Sequence, residues 1–397
     1  MKGMKSMNKE LFNDELFNRV LDKAKSVKKY QIGYPINEGF DLKEFYEWYD
    51  EHNLSDVFLN NVGDPNNEKS VNFGTLYVER KIIRTIAPIY GFDENEVWGL
   101  MTESGSDGNN HGIYYGRNYL ESITKKKPIL YVSSESHYSN KRLAELQQIE
   151  VKLIPTDELG KMIPEEFRKA LDSTRPALVV FSMGTTFKGG IDDMQTIKKI
   201  VEEVNPPAAY YHVDAALFGG YLAFSDYSNE VNKKVCGYDS ISVSGHKFFG
   251  CDEPCGLFFT TKEIIDHQNP NNVPYLIGSV PTILCSRSAI SPLKIYYTLK
   301  RYGVEGLRKQ VKQMFENVVY LKNKLDEIGW PSWISCKESN IVFFKKIDDA
   351  LMKKYFLARA TDDRFGGELG HIVVMQGVTK EIIDEFIADI KENCLKG

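Results

Sequence analysis

The chain of 397 residues is short of cysteine, of net charge and of long apolar runs. Its six cysteines (Cys236, Cys251, Cys255, Cys285, Cys336 and Cys394) are sparse and irregularly spaced. That pattern excludes a disulfide framework and predicts free thiols in a reducing, cytoplasmic compartment. Cys251-Asp-Glu-Pro-Cys255 is one residue too long for a CxxC pair and no second pair follows, so no metal site is expected. Lys+Arg number 50 and Asp+Glu 55, a net charge of −5, without the basic excess of a nucleic-acid binder. Apolar runs such as Ala177 to Phe181 fall far short of the roughly 20 residues that span a bilayer. The first residues, MKGMKSMNKELFNDELF, contain lysines but no apolar core, so no secretory signal is expected, and Met1, Met4 and Met7 leave the start codon open. There is no GxGxxG and no Walker A motif, which removes the usual dinucleotide and ATP sites.

What remains is 42% hydrophobic and 26% charged, ordinary for a globular chain of two or three units. Helical spacing over residues 8–30 (Leu11, Leu16, Phe17, Val20, Leu21) predicts an arm, which Gly33-Tyr34-Pro35 breaks. Short helices are expected over 41–52 and 75–91. From residue 97 short apolar runs alternate with helical stretches. Strands are predicted at 97–102, 128–132, 150–154, 177–181, 209–214, 240–243 and 256–260, with helices at 108–123, 138–148, 164–171 and 192–203. Wholly apolar strands between helices predict a mostly parallel sheet covered on both faces. Residues 288–328 read as one long helix or a bent pair. Strand 340–345, helix 348–357, strand 371–375 and helix 379–393 then make a small lobe. The expected division is an N-terminal arm over 1–60, a large domain over 61–295 and a small C-terminal α+β domain over 296–397.

Four segments carry chemistry, and each follows a predicted strand. Ser244-Gly245-His246-Lys247 places a lysine in a tight turn, where desolvation and a nearby cation would leave its amine partly neutral and able to form a Schiff base. Read singly, it is also an ordinary loop lysine. His212-Val213-Asp214-Ala215-Ala216 ends a strand in a carboxylate able to hold a pyridinium protonated, with small Ala216 leaving room for a flat ring. The plain alternative is a solvated acid. Thr102 to Asn109 is a Gly/Ser loop before a helix, either an anion site or a simple connection. His137, in Ser133-Ser134-Glu135-Ser136-His137-Tyr138-Ser139, either stacks on a flat cofactor or merely satisfies loop hydrogen bonds. Together, at the carboxyl ends of strands, they fit pyridoxal 5′-phosphate (PLP) better than four separate plain readings.

The order S-x-x-x-H-Y-S, H-x-D-A-A, S-G-H-K-x-x-G and P-C-G resembles the group II PLP-dependent amino-acid decarboxylases, with particular likeness to bacterial histidine decarboxylases and plant serine decarboxylases. Gly33-Tyr34-Pro35, the run from Asn60 to Pro65, the run from Gly184 to Asp193, and His371 to Met375 extend the likeness from about residue 30 to the end. The resemblance implies the fold-type I, aspartate aminotransferase-like architecture and a homodimer with shared active sites. It implies Lys247 as the Schiff-base lysine, Asp214 at the pyridine nitrogen, Ala216 and His137 at the two ring faces, and Gly105, Ser106, Ser244 and His246 at the phosphate. Thr185 would lie near O3′, and Ser286 would reach the neighbouring subunit's cofactor. His137 and Tyr275 are the candidates for protonating Cα. Glu103 stands where the family usually has Asn, and Cys285, Ser288, Ala289 and Ile290 replace its Gly, Asn, Gly and His. Those changes fall where substrate identity is set. The expected activity is release of CO₂ and a primary amine from an L-amino acid, histidine first (to histamine) and serine second. The alternatives are another small or apolar amino acid, or a different PLP reaction: a C–S lyase, an aminotransferase or an aldehyde synthase.

Overall fold

The fold is known from a computed structural model, which describes residues 14–68, 74–268 and 271–395. Seven strands form the large sheet: β1 (Val97–Thr102), β2 (Ile129–Ser133), β3 (Glu150–Ile154), β4 (Ala177–Ser182), β5 (Ala209–Asp214), β6 (Ser240–Ser244) and β7 (Gly256–Thr261). Their order is β1-β7-β6-β5-β4-β2-β3. Only β7 runs against its neighbours, so the sheet is mostly parallel, as expected. Every residue of β1, β2, β4 and β6 is buried, because helices cover both faces. Edge strand β3 is the exception, with Glu150 and Leu153 exposed.

The helix Gly105–Thr124 lies directly on β5 and β6, and its glycines allow this. A Cβ at Gly108 would stand 2.2 Å from Ser242 Oγ, one at Gly112 2.3 Å from the His212 ring, and one at Gly116 2.6 Å from Tyr210. The four-residue spacing aims all three down one side of the helix. The helix starts three residues before the predicted 108, because Ser104 caps it by accepting from Asp107 N at 3.1 Å. Part of the expected Gly/Ser loop is therefore first helical turn. The helix predicted over 75–91 is α-helical only from Leu76 to Ile86. It tightens to a 3-10 turn at Ala87–Tyr90, where Pro88 lacks the N–H to continue the ladder.

The helix Ile290–Glu327 bends at Gly303, whose ψ of −174° leaves the helical region. It leads into a second, antiparallel sheet: β8 (Ser332–Trp333), β9 (Ile341–Lys345), β10 (Ala358–Asp362) and β11 (Gly367–Val373), in the order β8-β9-β11-β10. Helices Asp349–Lys354 and Lys380–Asn393 pack a separate core against it, around Phe344, Leu351, Ile372 and Phe386. The predicted two-strand lobe is thus corrected to four strands. β8 is too short to show a period, and Ala-Arg-Ala-Thr-Asp in β10 has no apolar alternation. The helix expected over 348–357 stops at Lys354, with Phe356 in the left-handed region at φ 52°.

The helix expected over 8–30 is described as Asp14–Val27 with a 3-10 turn at Lys28–Tyr30, and its residues 8–13, Leu11 among them, lie outside the described residues. It buries none of its residues, although Leu16, Phe17, Val20 and Leu21 form one apolar side. Among the described residues no helix is long and apolar enough to cross a membrane, and no cluster of three ligating side chains is placed to hold a metal.

Candidate active site

A cavity of about 610 Å³ opens at the carboxyl ends of β1, β2, β4, β5 and β6. Open α/β sheets place ligands at that end, where loops diverge from neighbouring strands. Gly105, Ser106, His137, Thr185, Asp214, Ala216, Ser244, His246 and Lys247 all line it. Nine of the eleven residues predicted for the site therefore converge on one space. The other two do not. Ser286 is exposed, pairs in a two-residue ladder with Val62, and does not line this cavity. The side chain of Tyr275 lies outside the described residues.

Lys247 follows β6, and its ammonium makes no hydrogen bond or ion pair among the described residues. Burial pushes its pKa down, while the Asp214 carboxylate partly holds it up. An amine so placed loses its proton more readily than a surface lysine. Asp214 ends β5 and is 8% exposed. Asn140 Nδ2 donates to its Oδ2 at 2.9 Å and Ala216 N to its Oδ1 at 3.3 Å. Two residues earlier, on the same face, His212 is fully buried between Ser240 Oγ at 2.8 Å and Asn109 Oδ1 at 3.0 Å, and burial lowers its pKa to about 4. A neutral imidazole there leaves Asp214 as the charge facing Lys247.

The other walls are equally constrained. The helix start at Gly105 leaves the N–H groups of Gly105 and Ser106 without intrahelical acceptors, with the positive end of the helix dipole behind them. A Cβ on Gly105 would meet Ser244 Oγ at 2.4 Å, so this cradle has no room for a side chain. His246 turns its Nδ1 to Cys255 O at 2.9 Å, and burial depresses its pKa. His137 caps the next helix, with Nδ1 2.7 Å from Ser139 Oγ, and burial lowers its pKa too. Thr185 Oγ1 accepts from Gly190 N at 2.9 Å, which leaves the hydroxyl hydrogen for another acceptor.

Sequence reasoning missed Asn140, which orients Asp214, and His212 with Asn109 beneath it. Asn140 lies three residues after His137, so a helical reading of that motif would have turned both toward the sheet end. His212 shares the strand period with Asp214. Ser286 is held by a buried pair that was also missed: Arg287 donates to both oxygens of Glu79, at 3.0 and 3.1 Å, both side chains being 1% exposed.

An unpaired lysine, a clamped carboxylate opposite it, and a helix start crowded by small residues fit the aldehyde, ring nitrogen and phosphate of PLP. The fold and the site together define a PLP-dependent enzyme of fold type I. The model of the pyridoxal-dependent decarboxylase conserved domain matches residues 114–346. A serine decarboxylase of Oryza sativa subsp. japonica is 34% identical over 92% of this chain and 72% of its own length. A histidine decarboxylase of Solanum lycopersicum is 30% identical over 96% of this chain and 88% of its own. The chain belongs to the pyridoxal-dependent decarboxylase family, and it is a PLP-dependent amino-acid decarboxylase. In fold it is similar to L-methionine decarboxylase from Streptomyces sp. 590 (TM-score 0.81, 19% identity, 97% of this chain and 96% of that one). It is also similar to glutamate decarboxylase of Lactobacillus brevis CGMCC 1306 (TM-score 0.79, 20% identity, 96% and 92%).

Proposed function

We propose that the enzyme decarboxylates an L-amino acid with an uncharged side chain, histidine being the first candidate and serine the second. One observation carries this reading. Asp214 is the only carboxylate lining the cavity among the described residues, and Asn140 already binds it. No second acid waits for a cationic side chain. Arg359, on the rim, pairs with Asp349 at 3.0 Å on the far side of its strand. The remaining lining includes Tyr34, Pro35, Thr186, Phe187, Ala358 and Ala360. The curated relatives include both serine and histidine decarboxylases, which supports testing those two first.

When bound, PLP supplies an electron sink for the pair left on Cα as CO₂ departs. Lys247 Nζ is the amine that would hold the cofactor's aldehyde, because burial favours its neutral form. Asp214 holds a proton on the ring nitrogen, and its fixed charge needs no rearrangement as the reaction proceeds. The N–H groups of Gly105 and Ser106, with Ser244 and His246, bind the phosphate. His137 and Ala216 take the ring faces, and Thr185 the O3′ side. His137 or Tyr275 would return the proton to Cα.

A homodimer completes this reading. The exposed Phe17, Val20 and Leu21 of Asp14–Val27 and the position of Ser286 outside its own cavity support it. The free thiols support a cytoplasmic location. We keep the division into 1–60, 61–295 and 296–397. The test is amine and CO₂ release from each of the twenty amino acids with PLP added. Histamine from histidine, or ethanolamine from serine, is the expected product. A keto acid, aldehyde or sulfide product, or a preference for a charged amino acid, would overturn the reading.

A further inference from the structure

Strand β10 forms the edge of the small sheet and pairs only with β11. Side chains alternate along a strand, so Ala358, Ala360 and Asp362 share one face while Arg359 and Thr361 share the other. Ala358 and Ala360 line the cavity. Opposite Ala358 in the ladder is His371, whose ring stacks on Phe187 at 4.5 Å with Nδ1 2.6 Å from Phe187 O. One residue on from that phenylalanine, Lys188 reaches the same face of β10. Its ammonium lies 2.5 Å from Asp362 Oδ2 and 2.9 Å from Glu135 Oε1, and its side chain is 3% exposed. Arg364, from the turn after β10, donates to Asp362 and Glu135 and to the carbonyls of Thr156 and Asp157. Glu135 lies two residues before His137, and Lys188 three after Thr185. A single charged junction therefore ties β10 to both loops that flank the PLP site. The phosphate cradle and Asp214 line the same cavity from the strand ends of the large sheet, whereas Ala358 and Ala360 come from the small one.

We propose that β10 is the specificity wall of the active site. Ala358 and Ala360 set the room for the substrate side chain, and Lys188 with Asp362 are positioning residues that hold the wall at its distance. The short side chains leave space that a larger residue would fill, and one methylene in such a pocket changes discrimination by roughly 10-fold or more. The lysine is nearly dry, so its hold on β10 is weakly screened by salt. The inference rests on decarboxylation itself and not on which amino acid is taken.

The test is steady-state kinetics on PLP-loaded wild type, Ala360→Leu, Ala358→Leu, Lys188→Met and Lys188→Arg with histidine and serine. Ala360→Leu is expected to lower kcat/KM for histidine by about 10-fold or more and for serine by much less. The visible absorbance of bound PLP should not change. Lys188→Met is expected to raise KM with a smaller change in kcat, and Lys188→Arg to recover most of it. Unchanged discrimination in both alanine variants, or a uniform loss explained by weaker PLP binding, would overturn the proposal. If Lys188→Met does not fold, the two alanine variants still decide. If the wild type takes neither histidine nor serine, the substrate reading fails separately. The wall is then tested on the largest and smallest of the twenty amino acids that are turned over, with the same expected shift in discrimination against the larger one.

Discussion

Lys188 and Lys247 lie on the loops after β4 and β6, both of which contribute to one cleft, in opposite electrostatic situations. Lys188 has two carboxylates within 2.9 Å and a second cation, Arg364, sharing them. Lys247 has none that close, only the field of Asp214 from a distance, and burial pulls its pKa down. A buried ammonium is tolerated when paired; without a partner it tends toward the neutral amine. The first arrangement builds a wall and the second keeps a nucleophile. The contrast is what marks Lys247 as chemical, since burial alone would have marked both.

The sharpest way to break the comparison is to remove each lysine in turn. Lys247→Ala should lose turnover by on the order of 10⁵-fold, the scale of a tethered reacting group, together with the visible absorbance of bound PLP. Lys188→Met should keep that absorbance. If the two variants lose it alike, the distinction between them is wrong. Asp214→Asn comes next. It removes the fixed charge at the ring nitrogen but keeps the shape, and kcat should fall by about 10² to 10³, as for other preorganised charges. A kcat within threefold of wild type would show that the charge facing Lys247 does not matter.

Lys188→Met also has a stability consequence. It strands Glu135 and Asp362 in a largely dry junction, where breaking a pair costs about 3–5 kcal/mol. Arg364 still reaches both carboxylates, so the lower end of that range is expected in urea melts. Adding Asp362→Leu should restore part of the loss, because two apolar partners cost less than one orphaned charge. No recovery in the double variant would mean that the junction does not work as a pair.

How far the sequence could be read follows the same line. The chemical residues were legible because each follows an apolar strand by a few positions, and strand ends are where ligands gather. Lys247, Asp214, His137 and Gly105 needed only that rule and their residue types. The wall was not legible. Asp362 and Lys188 are 174 residues apart, and neither segment has a period that would bring them together. β10 reads as polar loop because its inward face is two alanines and an aspartate. Lys188 stood in a recognisable motif, Gly184 to Asp193, but the motif says nothing of what the lysine touches. Asn140 was hidden for a related reason: its partner Asp214 lies on a strand 74 residues on, and only the packed helix joins them.

The smallest expected effect concerns the support beneath Asp214. Buried His212 has its pKa lowered to about 4 from an ordinary 6.5, with burial the leading cause. Below pH 6.5 the unfolded chain takes up a proton that the folded chain refuses, so stability falls as pH drops from 6.5 to about 4 and is flat above that window. A gap of that size corresponds to about 3 kcal/mol. His137, His246 and His371 are depressed in the same direction and add to the slope of the wild type. The difference between wild type and His212→Gln isolates the one residue. The variant keeps a polar group near Ser240 and Asn109 but cannot titrate, so its unfolding free energy between pH 7 and 4 should fall less steeply by about 3 kcal/mol. Parallel profiles would place the proton on His212 in the folded state. Asp214 would then face an imidazolium as well as Lys247, and the unpaired lysine would no longer be the only cation its charge serves.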